Sequence, residues 1–239
     1  GIVVHASAGM AALASVFYVG KRSIAERGPH SIPLVALGTG LLWFGWYGFN
    51  AGSELQVDAI TGIAFLNTDI AASFAAITWL ILAWTLEKKP KFVGLLTGAV
   101  AGLATITPAA GFITVQSAAI IGIVAGIVCY FAVSLKNKMQ WDDALDVWGV
   151  HGVGGSIGVI LLGLFATNAV NPMVTTNGLF MGGGFDFLLK QVITVLAVCV
   201  YAFIFSYVML WLINFVTPVK VTKEEEEAGL DSSLHGEMA

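Results

Sequence analysis

The chain has 239 residues, of which 57% are hydrophobic and only 11% are charged, with a formal net charge of −4. A soluble domain usually carries about a quarter charged residues. The mean hydropathy of +0.86 and this charge content exclude an ordinary soluble domain, and no basic patch suits nucleic acid. Apolar runs near twenty residues long recur along the chain, which is typical of membrane-spanning helices. Both cysteines, Cys129 and Cys199, lie in such runs and are predicted to be reduced, buried thiols.

The apolar runs predict an all-α, polytopic membrane protein with seven transmembrane helices. Their approximate bounds are residues 1–20, 32–51, 59–86, 92–107, 113–134, 147–168 and 187–216. The fourth run is short for a hydrocarbon core about 30 Å thick, so we expect it to be tilted, broken or extended into Pro108. We assign residues 1–216 to a transmembrane domain and residues 217–239, which include four consecutive glutamates, to a cytosolic tail.

The basic residues indicate how the helices are oriented. Ten of the eleven fall in alternate loops and the tail, and the exception is Lys190. The ten are Lys21, Arg22, Arg27, Lys88, Lys89, Lys91, Lys136, Lys138, Lys220 and Lys223. Because cytoplasmic loops are enriched in Lys and Arg, we expect the first helix to begin outside the cell and the tail to lie in the cytoplasm.

Two histidines lie inside apolar runs, each with small residues at the positions that share its helical face. The residues at i+3, i+4 and i+7 are Gly154, Gly155 and Gly158 for His151, and Ala8, Gly9 and Ala12 for His5. Such a strip either accepts a close-packed helix or leaves room for something to pass. Under the predicted orientation the two helices run in opposite directions, as in inverted repeats around a midplane site. The alternative is that each histidine is a hydrogen-bonded core residue.

Two aspartates stand out in or beside the apolar runs. Asp146 precedes the run of His151 and occupies the position where an N-cap residue is expected. Asp69 lies about ten residues into the third run, and an intramembrane carboxylate typically faces the bundle interior or a wet cavity. The alternative for Asp69 is a protonated group, or one bonded to polar neighbours such as Asn67 and Thr68.

The second run places Trp46, Phe49 and Ser53 on one helical face near its predicted outer end. Aromatic faces attract cations by roughly 2 kcal/mol or more when water is excluded, and a hydroxyl accepts a hydrogen bond from an ammonium-like ion. This pattern favours cation capture, while the alternative is an aromatic belt at the membrane interface. The four histidines have no spacing typical of a metal site, so a membrane metalloenzyme is not predicted.

Four stretches carry a resemblance to a known family: GIVVHASAG at 1–9, LLWFGWYGFNAGS at 41–53, ITPAAGF at 106–112 and DDALDVWGVHGVGG at 142–155. The chain resembles the ammonium transporter/Rh superfamily, in its microbial and plant ammonium transporter branch. The resemblance implies a homotrimer with one narrow pore per subunit and eleven helices, of which the first ten form two inverted halves. This chain matches the fifth helix, the second half and the last helix. The four N-terminal helices are therefore expected from another segment or chain.

The resemblance also implies residue roles and a function. His5 and His151 match the twin histidines of the pore, and Trp46, Phe49 and Ser53 match the outer recruitment site and gate. Asp146 and Asn50 are expected to support the pore structurally, and no catalytic, metal or cofactor site is implied. The implied function is transport of ammonium/ammonia by recruitment, deprotonation and passage along the histidines.

Two alternatives to transport are also compatible with the sequence. The first is an ammonium sensor with little flux, and the second is an Rh-type channel for a neutral gas. Methylammonium is the expected substrate analogue, and a PII-type protein is the possible regulator at the acidic tail. The implied location is the plasma or inner membrane.

Overall fold

A computed structural model describes residues 1–23 and 28–237 of the chain. Arg27, one of the ten basic residues that indicate orientation, and the last two residues lie outside them. The helices are α1 (Ser7–Val19), α2 (Ile32–Ala51), α3 (Ala59–Glu87), α4 (Phe92–Ile106), α5 (Val115–Lys138), α6 (Gly154–Phe165), α7 (Phe185–Ile213) and α8 (Lys223–Ala228). Two π-helical segments, Ile2–Ala6 and Trp148–Val153, lead directly into α1 and α6. All regular structure in the described ranges is helical, which confirms the predicted class.

Six helical stretches of the described chain are long and apolar enough to cross a membrane. They are Ile2–Val19, Ile32–Glu54, Ala59–Glu87, Val115–Lys138, Trp148–Phe165 and Phe185–Ile213. The remaining predicted run, the fourth, corresponds to α4, which has only 15 residues and is followed by turns from Thr107 onward. The prediction that this run is short is therefore confirmed.

Helix starts follow local capping chemistry. The Asp58 carboxylate accepts hydrogen bonds from the amides of Ile60 and Thr61, and the Thr61 hydroxyl lies 3.4 Å from the Asp58 amide, which completes a capping box before α3. Before α5, the Thr114 hydroxyl accepts the amide of Ser117 in the same way. These side chains satisfy amides that the first turn of a helix leaves without partners.

Small residues set the packing of α3, α4 and α5. A Cβ at Gly102 of α4 or at Gly122 of α5 would lie 2.5 Å from the Ala71 carbonyl oxygen of α3. Gly98 and Gly126 approach the Ala75 carbonyl one turn further along α3 in the same manner. Glycine therefore brings α4 and α5 into backbone contact with the same two turns of α3, which is typical of helix packing in a membrane.

Helices α2 and α7 have the opposite character, because most of their large apolar side chains are exposed. Phe44 of α2 is 76% exposed and Tyr201 of α7 is 66% exposed. An apolar surface of this extent suits contact with lipid or with other protein segments rather than with water. The arrangement fits a membrane protein whose outer helices face an apolar surrounding.

Several polar segments meet at one end of the bundle. The Arg22 guanidinium forms a salt bridge of 2.5 Å with Asp142, and Lys21 donates to Gln140. The tail joins this end because the amide of Ser23 donates to Glu226 at 2.6 Å. The Arg22 guanidinium lowers the pKa of the Asp142 carboxyl below its ordinary value. The first loop, the fifth loop and the tail thus lie on the same side of the bundle.

Candidate functional site

Two of the three π-helical segments in the described residues carry the two histidines of the apolar runs. His5 lies in Ile2–Ala6 and His151 lies in Trp148–Val153. The widened turn is visible at Ala6, whose amide donates to the carbonyl of Gly1 five residues earlier. Single π-helical turns are rare in helices and frequently occur at functional sites. Both copies of the motif share this irregularity, although their sequences predicted regular helices.

The two histidine rings face each other across the junction of these segments. Nδ1 of His5 lies 3.2 Å from Nδ1 of His151, and the ring centroids are 5.3 Å apart with planes inclined by 28°. His5 is 3% exposed, and His151 is partly buried. This distance is within hydrogen-bonding range, so one ring nitrogen donates to the other.

Glycines allow the histidine segments to approach. A Cβ at Gly9 would lie 2.1 Å from both Cα and N of Gly152, and a Cβ at Gly155 would lie 2.6 Å from Cβ of His5. Gly158 approaches the Thr105 carbonyl, where a Cβ would come within 2.0 Å of the oxygen. Of the two uses predicted for the small-residue strip, these contacts support the first, a close-packed neighbour.

Trp46 of α2 completes the wall beside the histidines. Its ring stacks on His5 with a centroid distance of 5.2 Å and an interplanar angle of 17°. Its indole N–H donates to the Thr107 hydroxyl at 2.9 Å, and that hydroxyl lies 3.2 Å from Nε2 of His5. Thr107 was not among the predicted site residues, because the sequence around Pro108 was interpreted only as the end of the short fourth run. The one signal available was its place in the stretch ITPAAGF.

Three cavities lie around these residues. The largest, of about 560 Å³, is lined by both histidines, Trp46 and Phe49 together with apolar residues. Phe49 also lines a second cavity of about 330 Å³, and His151 also lines a third of about 130 Å³. Phe49 therefore borders the first and second cavities, and His151 borders the first and third.

The other predicted recruitment and support residues lie around the second cavity. Ser53 and Asn50 line it, together with Thr107. The Ser53 hydroxyl donates to the Phe49 carbonyl at 2.5 Å, and the Asn50 amide group donates to the Thr68 hydroxyl at 3.0 Å. Trp46 is buried beside His5, whereas Phe49 is 41% exposed. Trp46, Phe49 and Ser53, which were predicted to share one face, thus differ in how far their side chains are exposed.

Asp146 does not cap the histidine segment with its side chain, so that prediction was wrong. The Asp143 carboxylate instead accepts the amides of Val147 at 3.1 Å and Trp148 at 2.8 Å. Asp146 has a φ of +56° and turns its carboxylate toward Lys136, at 2.5 Å. An N-cap residue normally has extended backbone angles, whereas Asp146 is left-handed, and sequence spacing alone does not reveal this.

Lys136 at the end of α5 is a buried cation that connects two elements. Its ammonium group donates to the Asp143 carbonyl at 2.8 Å and to the Asp146 carboxylate. Burial raises the pKa of Asp146 above its ordinary value, and the neighbouring Lys136 opposes that shift. The pair anchors the loop that leads into the His151 segment.

Removing the Lys136 charge is expected to destabilise this loop. Lys136→Met leaves Asp146 without its counter-ion, and breaking a buried ion pair from one side costs about 3 kcal/mol. The loss should shrink as the pH falls through the raised pKa of Asp146, because a protonated carboxyl needs no counter-ion. Thermal unfolding in detergent at several pH values measures this effect.

Lys138→Met is the matched control, since Lys138 is exposed two residues further along the same helix end. Adding Asp146→Asn to Lys136→Met should recover part of the stability, because asparagine tolerates the left-handed conformation and carries no charge. Equal unfolding temperatures for the Lys136 and Lys138 variants would contradict the ion-pair account.

Asp69 has a hydrogen-bond partner that could not be predicted from its neighbours in sequence. The Tyr47 hydroxyl donates to the Asp69 carboxylate at 2.5 Å and so connects α2 with α3. Asn67 instead donates to the carbonyls of Ala110 and Ile113, and Thr68 donates to the Ala64 carbonyl. The alternative in which Asp69 bonds to Asn67 or Thr68 is therefore not observed, and the carboxylate is held by a tyrosine on the neighbouring helix.

The helical bundle and its long apolar helices define a polytopic membrane protein. The family model described as the Ammonium Transporter Family matches residues 1–239. The chain therefore belongs to the ammonium transporter family, as its sequence motifs predicted.

Individual relatives agree with this assignment. An ammonium transporter of Bacillus subtilis (strain 168) is 44% identical over 241 residues, which cover 100% of this chain and 59% of that protein. Ammonium transporter Amt1 of Archaeoglobus fulgidus is 42% identical, with 100% of this chain and 61% of that protein covered. This chain thus spans about 60% of the length of these curated relatives.

Solved structures share the fold. The crystal structure of Candida albicans Mep2 matches with a TM-score of 0.83 and 37% identity, covering 93% of this chain and 51% of that chain. A structure described as a sensor Amt protein matches with a TM-score of 0.86 and 32% identity, covering 98% of this chain and 58% of that one.

Proposed function

We propose that this chain forms the part of an ammonium/ammonia pore that contains the paired histidines. The observation that carries the proposal is the 3.2 Å contact between the Nδ1 atoms of His5 and His151 beside a cavity lined by Trp46 and Phe49. The relatives named as ammonium transporters support the choice of substrate. The two alternatives, an ammonium sensor with little flux and an Rh-type channel for a neutral gas, have no support of this kind from the geometry.

Passage begins with capture of the cation beside Phe49 and Ser53. Both residues line the second cavity, where the aromatic ring and polar oxygens replace part of the water around an ammonium ion. Carrying a full charge to the centre of a bilayer costs about 3 kcal/mol or more. Capture at this cavity therefore precedes loss of the proton.

Neutral ammonia then passes the histidine pair at a much lower cost than the ion. The pair suits this step because each neutral ring has one N–H and one bare nitrogen, so it can donate and accept at the same place. Phe49 separates the second cavity from the one that holds the histidines, and His151 adjoins the third. This order supports movement from capture to the paired rings and onward.

The assembly around this pore follows from the family and is part of the proposal. We place the chain in the plasma or inner membrane as a homotrimer, with residues 1–216 in the bilayer and residues 217–239 in the cytoplasm. The shared position of Arg22, Asp142 and Glu226 at one end of the bundle supports a common, cytoplasmic side for two loops and the tail. The acidic tail is the proposed contact for a PII-type regulator.

Uptake of methylammonium by cells that lack their own transporters tests the proposal. The chain is expressed alone and then together with a polypeptide that supplies four N-terminal helices, and folding and trimer formation are checked in both cases. Uptake is expected only with the supplement, because this chain covers only 59% of the Bacillus subtilis ammonium transporter. Uptake by the chain alone would overturn the need for added helices. No uptake from a folded, trimeric pair would overturn transport and favour sensing.

A further inference from the structure

The Thr107 hydroxyl has three polar neighbours around a single oxygen atom. It lies 2.8 Å from the Leu103 carbonyl, 2.9 Å from Nε1 of Trp46 and 3.2 Å from Nε2 of His5. A threonine hydroxyl has one hydrogen to donate and two lone pairs to accept with. The three neighbours therefore occupy its full hydrogen-bonding capacity, and each position has to be assigned a direction.

Two of the three directions follow from the chemistry of the partners. The Leu103 carbonyl only accepts, so Thr107 donates its one hydrogen there, at the shortest of the three distances. The indole nitrogen of Trp46 only donates, so Thr107 accepts from it. Only one lone pair of Thr107 then remains for His5, and Nε2 of His5 must carry a hydrogen in order to donate to it.

The tautomer of His5 then determines which nitrogen of His151 donates. A neutral histidine with its hydrogen on Nε2 has a bare Nδ1, which can only accept. Because Nδ1 of His151 lies 3.2 Å from that atom, His151 must donate from Nδ1. Neutral His151 is then left with a bare Nε2, and its ring lines both the 560 Å³ and the 130 Å³ cavities.

We propose that Thr107 is a positioning residue that sets one direction of hydrogen bonding along Thr107, His5 and His151. His5 carries its hydrogen on Nε2, and His151 carries its hydrogen on Nδ1. The bare Nε2 of His151 is then the lone pair that the pair of rings presents to the cavities. The consequence for ammonia passage rests on the proposed function, whereas the assignment of the two tautomers does not.

Nitrogen-15 NMR of the two rings tests the assignment directly. The full chain is prepared with labelled histidine in a His30→Gln/His235→Gln background, so that only the paired histidines of the four give signals. We expect a protonated Nε2 on His5 and a protonated Nδ1 on His151. The reverse pattern, with protonated Nδ1 on His5 and protonated Nε2 on His151, would overturn the proposal.

Two variants of Thr107 separate positioning from folding. Thr107→Ser keeps the hydroxyl and should keep the wild-type tautomers, whereas Thr107→Val keeps the shape, removes the hydroxyl and should give a mixture of both. Unchanged tautomers in Thr107→Val would overturn the proposal. If the valine variant does not fold, the wild-type and serine spectra still decide the assignment.

Transport by the same variants separates this inference from the proposed function. With the N-terminal helices supplied, uptake by Thr107→Val should fall about tenfold, the size expected when a buried hydrogen bond is lost, and Thr107→Ser should restore it. The predicted tautomers without uptake in any folded protein would support the inference and overturn transport. Full uptake by a Thr107→Val protein with mixed tautomers would overturn the positioning role.

Discussion

A single methyl group at Gly9 is expected to prevent the two histidine segments from meeting. Gly9→Ala places a Cβ 2.1 Å from the Cα and N atoms of Gly152, and backbone atoms cannot rotate away as a flexible side chain can. The segments must separate by more than an ångström, which removes the contact between His5 and His151. Overpacking of this kind costs roughly 3 kcal/mol or more. Thermal unfolding in detergent, followed by tryptophan fluorescence, should show a clear drop in the unfolding temperature.

Gly48→Ala provides the matched control for this substitution. Gly48 lies in α2, and a Cβ there would meet nothing within 4 Å. Alanine is favoured over glycine within a helix by about 1 kcal/mol, so the control should unfold at the wild-type temperature or slightly above it. Equal unfolding temperatures for the Gly9 and Gly48 variants would contradict the close approach of the two segments.

The helices were predictable from sequence because membrane spans are encoded locally. Twenty apolar residues have to satisfy their backbone groups within the segment, and in a lipid surrounding a helix does so without help from distant residues. Even the short fourth helix was expected, because residues 92–107 cannot span the hydrocarbon core at the helical rise of about 1.5 Å per residue. Its observed bounds, Phe92–Ile106, agree with that expectation.

The immediate surroundings of the histidines were less predictable, because they depend on departures from regular geometry. The face shared by His151, Gly154 and Gly155 was deduced for a regular α-helix, yet His151 lies in a π-helical segment. A π-helical turn closes its hydrogen bonds over five residues and rotates the residues that follow. In the structure Gly154 packs against Thr105 of α4, whereas Gly155 packs against His5.

Some side-chain contacts were not predicted for a second reason, which is that the two residues lie far apart along the chain. Thr107 and His5 are 102 residues apart, and Tyr47 and Asp69 are 22 residues apart. Composition and periodicity describe a residue's own helix and carry no information about a side chain on another helix. Lys136 is a further example, since a lysine at a helix end predicts an exposed charge and this one is 6% exposed.

Replacing a histidine of the pair with an acid is expected to change what the pore admits. His5 is buried, and both rings line the cavity of about 560 Å³. His151→Glu or His5→Asp exchanges a neutral ring for a carboxylate, which attracts cations and lowers the cost of bringing them to the membrane centre. The ratio of potassium to methylammonium uptake should rise about tenfold or more, the factor that 1.4 kcal/mol of differential stabilisation produces.

The measurement compares uptake of both cations in cells that express each variant together with the N-terminal helices. His30→Gln is the control, because His30 is exposed and remote in sequence from the segments that contain His5 and His151. This variant should keep the wild-type uptake ratio. A raised ratio in both acidic variants would mean that the pair maintains selectivity by keeping the cavity uncharged. Unchanged flux and selectivity in both would contradict the role assigned to His5 and His151. The cavity of about 560 Å³ would then be a packing feature beside a pore located elsewhere.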